Sequence, residues 1–258
     1  MLPSIIHICL ERRLVFYFLT FFKKKLYVII RLFLYIGLVK FKKRIVMKKY
    51  KLTDETINVN EVTLYRIEAL IDFNDVCKGD KGGFIENERN LSQGNNCWVY
   101  GDAKVHGNAE VYGNAMVLGN TMVYGDAMVY NNAIVCGDAR VYGYAEVCGN
   151  ARVYDNAIVC GYARVYGYAE VCGNAMVYGR AEVCGDTRVD SIGDYIVFKN
   201  WWSSGRYFTW TRSNNMWRVG CFYGSGEELI EKAYKDSEES GDKYKAVVEY
   251  VESMFNEK

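Results

Sequence analysis

Between Cys97 and Ile192 the apolar positions return every six residues. The hexads run CWVYGD, AKVHGN, AEVYGN, AMVLGN, TMVYGD, AMVYNN, AIVCGD, ARVYGY, AEVCGN, ARVYDN, AIVCGY, ARVYGY, AEVCGN, AMVYGR and AEVCGD, then fray into TRVDSI. Each unit reads small, variable, Val, Tyr or Cys, Gly, then Asn or Asp. Positions one and three alternate with two and four and therefore share one face of a short strand, so Ala and Val point inward. Positions five and six are turn residues, Gly for positive φ and Asn or Asp for tolerance of the left-handed region. A strand of four and a bend of two, repeated without interruption, predicts a solenoid with a narrow interior. Helix is excluded by the strict period and its glycines. The stretch ARVYGYAEVCGN stands at both 139–150 and 163–174, the mark of tandem duplication.

Charge sets the length of one coil. With three hexads per coil, the second-position columns Glu146, Arg164, Glu182 and Arg152, Glu170, Arg188 alternate in sign. With two hexads per coil, Arg140, Arg152 and Arg164 stack as like charges about 4.8 Å apart, which is unfavourable. The pattern predicts a triangular prism of about five coils, roughly 25 Å tall at that strand spacing. It also puts Tyr144 and Tyr162 on one corner in adjacent coils, with Arg180 one coil further.

Residues 47–96 read as a β-rich N-terminal cap, with KYKLT and TINV facing VTLYRIEAL across a turn at Asn60 and Glu61. A solenoid end exposes an unpaired strand edge, and a cap covers it. Residues 193–258 read as a small α+β domain. YIVFKNWW, RYFTWT and MWRVGCFY suggest three strands, with a hairpin at Ser213, Asn214 and Asn215. Ser225 and Glu228 form a capping box before a helix. A second helix is expected to start near Asp242, with Tyr244, Val247, Val248, Val251, Met254 and Phe255 on one face. Trp201, Trp202, Trp210 and Trp217 supply bulk for this small core, with a stacking platform for a sugar or base as the alternative.

The net charge of +1 conceals an asymmetry. Residues 1–46 hold ten Lys or Arg and one acid, Glu11, leaving 22 basic and 30 acidic side chains in the rest. A nucleic-acid partner is not expected of a body with that balance. The leading stretch is apolar and basic. Its longest apolar run, Leu26 to Val39, contains Arg31 and spans about 21 Å as a helix, against a bilayer core of about 30 Å, so no stable membrane span is expected. The preferred reading is an over-extended reading frame with the native start at Met47, because Lys42, Lys43 and Arg44 can be encoded wholly in purines two codons upstream. A helix lying on a membrane surface is the second reading.

The hexads resemble the left-handed β-helix of hexapeptide-repeat proteins. More closely, together with Asp80, Lys81, Gly82, Gly83, Phe84, Ile85 and Glu86, then Asn90, Leu91, Ser92 and Gln93, then Cys97, Trp98 and Val99, they resemble the YdcK-type β-solenoid proteins of bacteria and phages. The resemblance covers roughly residues 47–192. It implies a mainly β fold, a left-handed triangular β-helix of hexapeptide repeats over 97–192. The C-terminal part resembles small domains that follow such repeats in uncharacterised phage and gut-bacterial proteins. The YdcK-type family is described as putative acyltransferases by analogy with the hexapeptide enzymes, and a fold does not carry an activity.

Those enzymes use a catalytic His, near a loop interrupting the coils, at a trimer interface. After Met47 this chain has one His, His106, at an outward fourth position, and no loop interrupts the hexads. A general base needs a positioned partner, and none is evident in the sequence. Cys136, Cys148, Cys160, Cys172 and Cys184 recur every twelve residues, so no two are vertical neighbours in an 18-residue coil. Disulfides and a metal site are not expected, and free thiols suit a reducing cytoplasm. Nucleotide-binding, zinc-protease and serine-hydrolase motifs are absent.

What remains is surface. Tyr124, Tyr130, Tyr142, Tyr144, Tyr154, Tyr162, Tyr166 and Tyr178 are expected to face outward, packing on their vertical neighbours or offered to a partner. The reading is a non-enzymatic binding or scaffold protein without cofactor. Its partner would be another protein or a second copy of the chain, a homotrimer included. The alternative is an acyltransferase using acetyl-CoA, with His106 as its catalytic candidate.

Overall fold

The structure is a computed structural model that describes Arg31 and residues 48–202 and 204–255. The expectations for residues 1–46 lie outside the described residues, Arg31 apart. Among the described residues no helix is long and apolar enough to cross a membrane.

Strands β1 (Tyr50–Val59) and β2 (Val62–Ala69) form the expected hairpin, turned at Asn60 and Glu61 with φ of 49° and 69°. β3 (Lys81–Ile85) pairs antiparallel with β2 on one side. On its other side it runs parallel to the first repeats, Phe84 opposite Lys104 and Ile85 opposite Val105. Leu91 similarly bridges to Val111. The solenoid therefore begins inside the segment expected to be only a cap. Counting that segment, the solenoid has about six turns rather than five, and one face stacks six strands. Gly82 and Gly83 allow the join. A Cβ on Gly82 would meet the Val99 carbonyl at 2.6 Å, and one on Gly83 the Ala103 carbonyl at 2.5 Å.

The short strands β4 (Trp98–Val99) through β19 (Arg188–Val189) stack as three parallel sheets. The first face carries Lys104, Met122, Arg140, Ile158 and Met176 at the second hexad position. The second carries Trp98, Met116, Ile134, Arg152, Glu170 and Arg188. The third carries Glu110, Met128, Glu146, Arg164 and Glu182. Glu146 lies opposite Arg164 and Arg152 opposite Glu170, so one coil is three hexads. Every first-position Ala and third-position Val from Ala103 to Val183 is fully buried, with Thr121 likewise buried in an Ala position. At roughly 25 cal/mol per Å² of apolar surface removed from water, this continuous Ala–Val seam holds the prism together. At the fifth position Asn131 and Asp155 replace Gly and keep the left-handed turn, with φ of 59° and 58°.

The C-terminal part differs from expectation in its strand count, in the start of its second helix and in the placing of Met254 and Trp201. Its sheet has four strands, β20 (Tyr195–Lys199), β21 (Tyr207–Thr211), β22 (Met216–Val219) and β23 (Phe222–Gly224), because a turn at Gly220 and Cys221 splits the third apolar run. Helix α1 (Gly226–Asp236) starts at the expected Ser225/Glu228 capping box. Helix α2 (Glu238–Phe255) starts four residues before Asp242, where the Ser237 hydroxyl accepts from the Ser240 amide. Phe208, Trp210, Trp217, Leu229, Val248 and Val251 form its core, while Met254 is exposed. Trp201 also lies outside that core, 80% exposed.

This sheet also closes the far end of the solenoid. The Tyr195 ring joins the solenoid core and its hydroxyl donates to the Met176 carbonyl at 3.0 Å. Thr209 accepts from the Glu182 amide at 2.9 Å and Ser213 from the Arg188 amide at 2.8 Å. Donors that would otherwise remain as an open strand edge are thus satisfied by side chains.

Candidate functional site

Fourth-position side chains stand outward in three columns, one per face. The first is His106, Tyr124, Tyr142, Cys160, Tyr178. The second is Tyr100, Leu118, Cys136, Tyr154, Cys172, Asp190. The third is Tyr112, Tyr130, Cys148, Tyr166, Cys184. Coil spacing places successive rings at stacking distance. His106 lies 5.2 Å from Tyr124, Tyr124 lies 4.9 Å from Tyr142, and Tyr112 lies 4.8 Å from Tyr130, all within 9° of parallel.

The eight tyrosines expected as one binding surface are therefore dispersed. Tyr124, Tyr142 and Tyr178 lie on the first face, Tyr130 and Tyr166 on the third, and Tyr154 on the second. Three are tied into the prism through their phenols. Tyr130 donates to Glu146 at 3.1 Å, Tyr154 to Glu170 at 3.0 Å and Tyr166 to Glu182 at 3.1 Å. Burial raises the Tyr130 and Tyr166 phenols well above their ordinary range, with their cysteine neighbours adding to the effect. Tyr142 is pushed up to about 12, first by the neighbouring Cys160 and then by burial. These phenols are neutral hydrogen-bond donors.

Tyr144 and Tyr162 behave differently. They share the corner between the first and third faces, stack at 5.0 Å and 4°, and remain 55% and 53% exposed. The Arg180 guanidinium lies 4.9 Å from the Tyr162 ring, as the 18-residue coil requires, and 5.6 Å from Tyr207 of the C-terminal sheet. Tyr168, 67% exposed, lies on a different corner and stacks on no ring among the described residues.

The charge columns form as expected with one diversion. Arg164 pairs with Glu146 at 3.3 Å, and Glu170 with Arg188 at 3.3 Å and Arg152 at 3.8 Å. Glu182, opposite Arg164 in register, instead gives its carboxylate to Arg218 at 3.0 Å. Arg218 comes from β22 and also lies over Tyr166. No local sequence signal reveals this contact, because it depends on how the C-terminal sheet seats on the last coil.

His106 is half-buried on its face. Burial lowers its pKa, with the Glu86 carboxylate opposing. That carboxylate accepts the Gly107 amide at 2.7 Å, and no hydrogen bond reaches the His106 ring among the described residues. Its geometry is that of a ring terminating a stack. All eight described cysteines are free; burial raises the Cys172 thiol to about 11, helped by Asp190, so it is not a thiolate nucleophile at neutral pH.

The parallel three-faced coil with buried Ala–Val seams defines a β-solenoid protein. A family model of the YdcK β-solenoid repeat matches residues 109–125, 122–137 and 145–161. The chain is 39% identical over 77 residues to the protein described as "Uncharacterized acetyltransferase YdcK" of Escherichia coli (strain K12). That match takes in 24% of this chain and 24% of the relative, so the chain spans about a quarter of the curated protein it matches. The chain therefore carries a β-solenoid whose repeats are similar to the YdcK type, with an antiparallel sheet and two helices at its C-terminal end.

Proposed function

We propose that this is a non-enzymatic binding or scaffold protein that presents the Tyr144–Tyr162–Arg180 corner to a protein partner. The observation that carries the reading is that corner. Two half-exposed rings are held parallel by the coil and flanked by a guanidinium, so binding would immobilise little that is not already fixed. Aromatic and Arg side chains are also those enriched at interface hot spots. The free thiols suit a reducing compartment, in keeping with a cytoplasmic site of action in a bacterial host.

Chemical cross-linking in host extract, comparing the full chain with Tyr144→Ala/Tyr162→Ala and with Trp201→Ala, tests this. A discrete partner should be captured by the wild type and by Trp201→Ala but lost in the double variant. Identical capture by all three would refute the corner as the site.

A second reading, an acetyl-CoA-dependent acyltransferase, draws on the description of the relative. A saturable rise in melting temperature with acetyl-CoA that disappears in His106→Ala would replace the scaffold reading. The expected outcome is no shift, since a stacked His without a positioned partner lacks the machinery of a base.

A further inference from the structure

The outward columns end differently at the N-terminal end of the prism. On the second face Tyr100 is closed by the connection between β2 and β3, its hydroxyl donating to Asp75 at 2.8 Å. On the first face Glu86 stands beside His106 and holds the Gly107 amide. On the third face Leu91 bridges to Val111, so the residue one coil before Tyr112 is Ser92, whose short side chain accepts the Gly94 amide at 3.1 Å and is too small to cover a ring. A cavity of about 370 Å³ opens there, lined by Glu88, Arg89, Gln93, Glu110 and Tyr112 among others.

Glu110 is equally set apart. Every other second-position Glu of the hexads accepts a Tyr hydroxyl and pairs with Arg: Glu146, Glu170 and Glu182. Glu110 is exposed and makes no hydrogen bond or ion pair among the described residues, because Met128 is its neighbour in the next coil. The remaining polar groups of the cavity are engaged. Glu88 pairs with Lys48 at 2.6 Å, Arg89 donates to the Gly107 carbonyl at 3.3 Å, and the Gln93 side-chain oxygen accepts the Lys49 amide at 2.8 Å.

The same fold shows what fits such a pair. At the other end Arg218 lies 5.7 Å from the Tyr166 ring while its guanidinium holds Glu182 at 3.0 Å. Arg188 lies 6.0 Å from Tyr154 while holding Glu170 at 3.3 Å. In both, a planar cation covers a ring and pairs with a neighbouring carboxylate. Tyr112 and Glu110 offer ring and carboxylate, and among the described residues no cation lies over the one or pairs with the other, Arg89 of the same cavity being turned to the Gly107 carbonyl.

We propose that the cavity receives an arginine side chain of a protein partner, its guanidinium lying on the open face of Tyr112 and pairing with Glu110. The site lies at the opposite end of the prism from Arg180 and goes beyond the corner assigned above. Guanidinium is favoured over ammonium because its plane can stack on the ring while its edge meets the carboxylate.

The full chain titrated by NMR with N-acetyl-arginine N-methylamide, and with its lysine and citrulline counterparts, tests this. Saturable binding of the arginine compound is expected, weaker for lysine and lost for citrulline. Glu110→Gln and Tyr112→Leu should each weaken it about two- to fivefold. Glu110→Gln is a surface change that leaves the fold intact and keeps the test valid should Tyr112→Leu loosen the stack. No saturable binding, equal binding of citrulline, or indifference to Glu110→Gln would overturn the proposal. Binding lost in Tyr144→Ala/Tyr162→Ala but kept in Glu110→Gln would overturn it while leaving the corner reading intact.

Discussion

A pair of glycine substitutions separates the two demands that stacking places on the turns. Gly101 and Gly119 both occupy the fifth hexad position. Gly101 has φ of 59°, matching Asn131 and Asp155, and an added Cβ would meet nothing within 4 Å. Gly119 has φ of 79°, and its Cβ would meet the backbone carbonyl oxygen of Gly137, one coil on, at 2.7 Å. Ala in the left-handed region costs about 1–2 kcal/mol. Loss of unfolded-state freedom returns about 0.4–1 kcal/mol of that. Gly101→Ala should therefore destabilise by about 0–1.6 kcal/mol. Gly119→Ala adds an overpacking cost of about 1–3 kcal/mol, since backbone of the next coil must move. At about 2–4 °C per kcal/mol for a body of this size, melting followed by far-UV circular dichroism should resolve the two. Gly101→Ala should lower Tm by up to about 6 °C, and Gly119→Ala by about 2–12 °C more than that. Equal losses would mean that the neighbouring coil yields freely. A larger loss for Gly101→Ala would refute the assignment of the cost to coil-to-coil contact.

Replacing His106 with Tyr should flatten stability against pH on the acid side. Burial holds the folded pKa of His106 below its ordinary value of about 6.5, so the unfolded chain binds the proton more readily and stability is lost as pH falls through about 6.5; a wild-type Tm with no decline between neutral pH and the carboxylate range would count against it. A double-mutant cycle on Glu146→Gln and Arg164→Gln should give a coupling of about 0.2–1 kcal/mol at low salt, fading near 1 M salt. Chemical denaturation measures it, and zero coupling at low salt would remove the pair from any role in setting register.

The period of six, the inward Ala and Val, and the sign alternation of Glu146, Arg164 and Glu182 were enough to determine a three-hexad coil. These are local and nearest-neighbour properties. A repeat whose every unit contacts only the next writes its packing into the sequence period. The same arithmetic located the Tyr144–Tyr162–Arg180 corner, because a corner residue meets its counterpart one coil away whatever the rest of the chain does.

The ends and the surface were decided by tertiary structure alone. Lys81–Ile85 carries no hexad pattern, yet it joins the first face because Gly82 and Gly83 leave room against the Val99 and Ala103 carbonyls. That Tyr195, Thr209 and Ser213 close the last coil, and that Arg218 draws Glu182 away from Arg164, depends on contacts far apart along the chain. Composition showed a tyrosine-rich solenoid, but an 18-residue coil distributes fourth-position tyrosines over three faces. Only the packed molecule distinguishes rings locked to Glu146, Glu170 and Glu182 from the pair left open at the corner. Glu110 and Tyr112 belong to the same class: their hexad resembles its neighbours, and what sets them apart is the irregular coil above them, which places Ser92 rather than a ring over Tyr112.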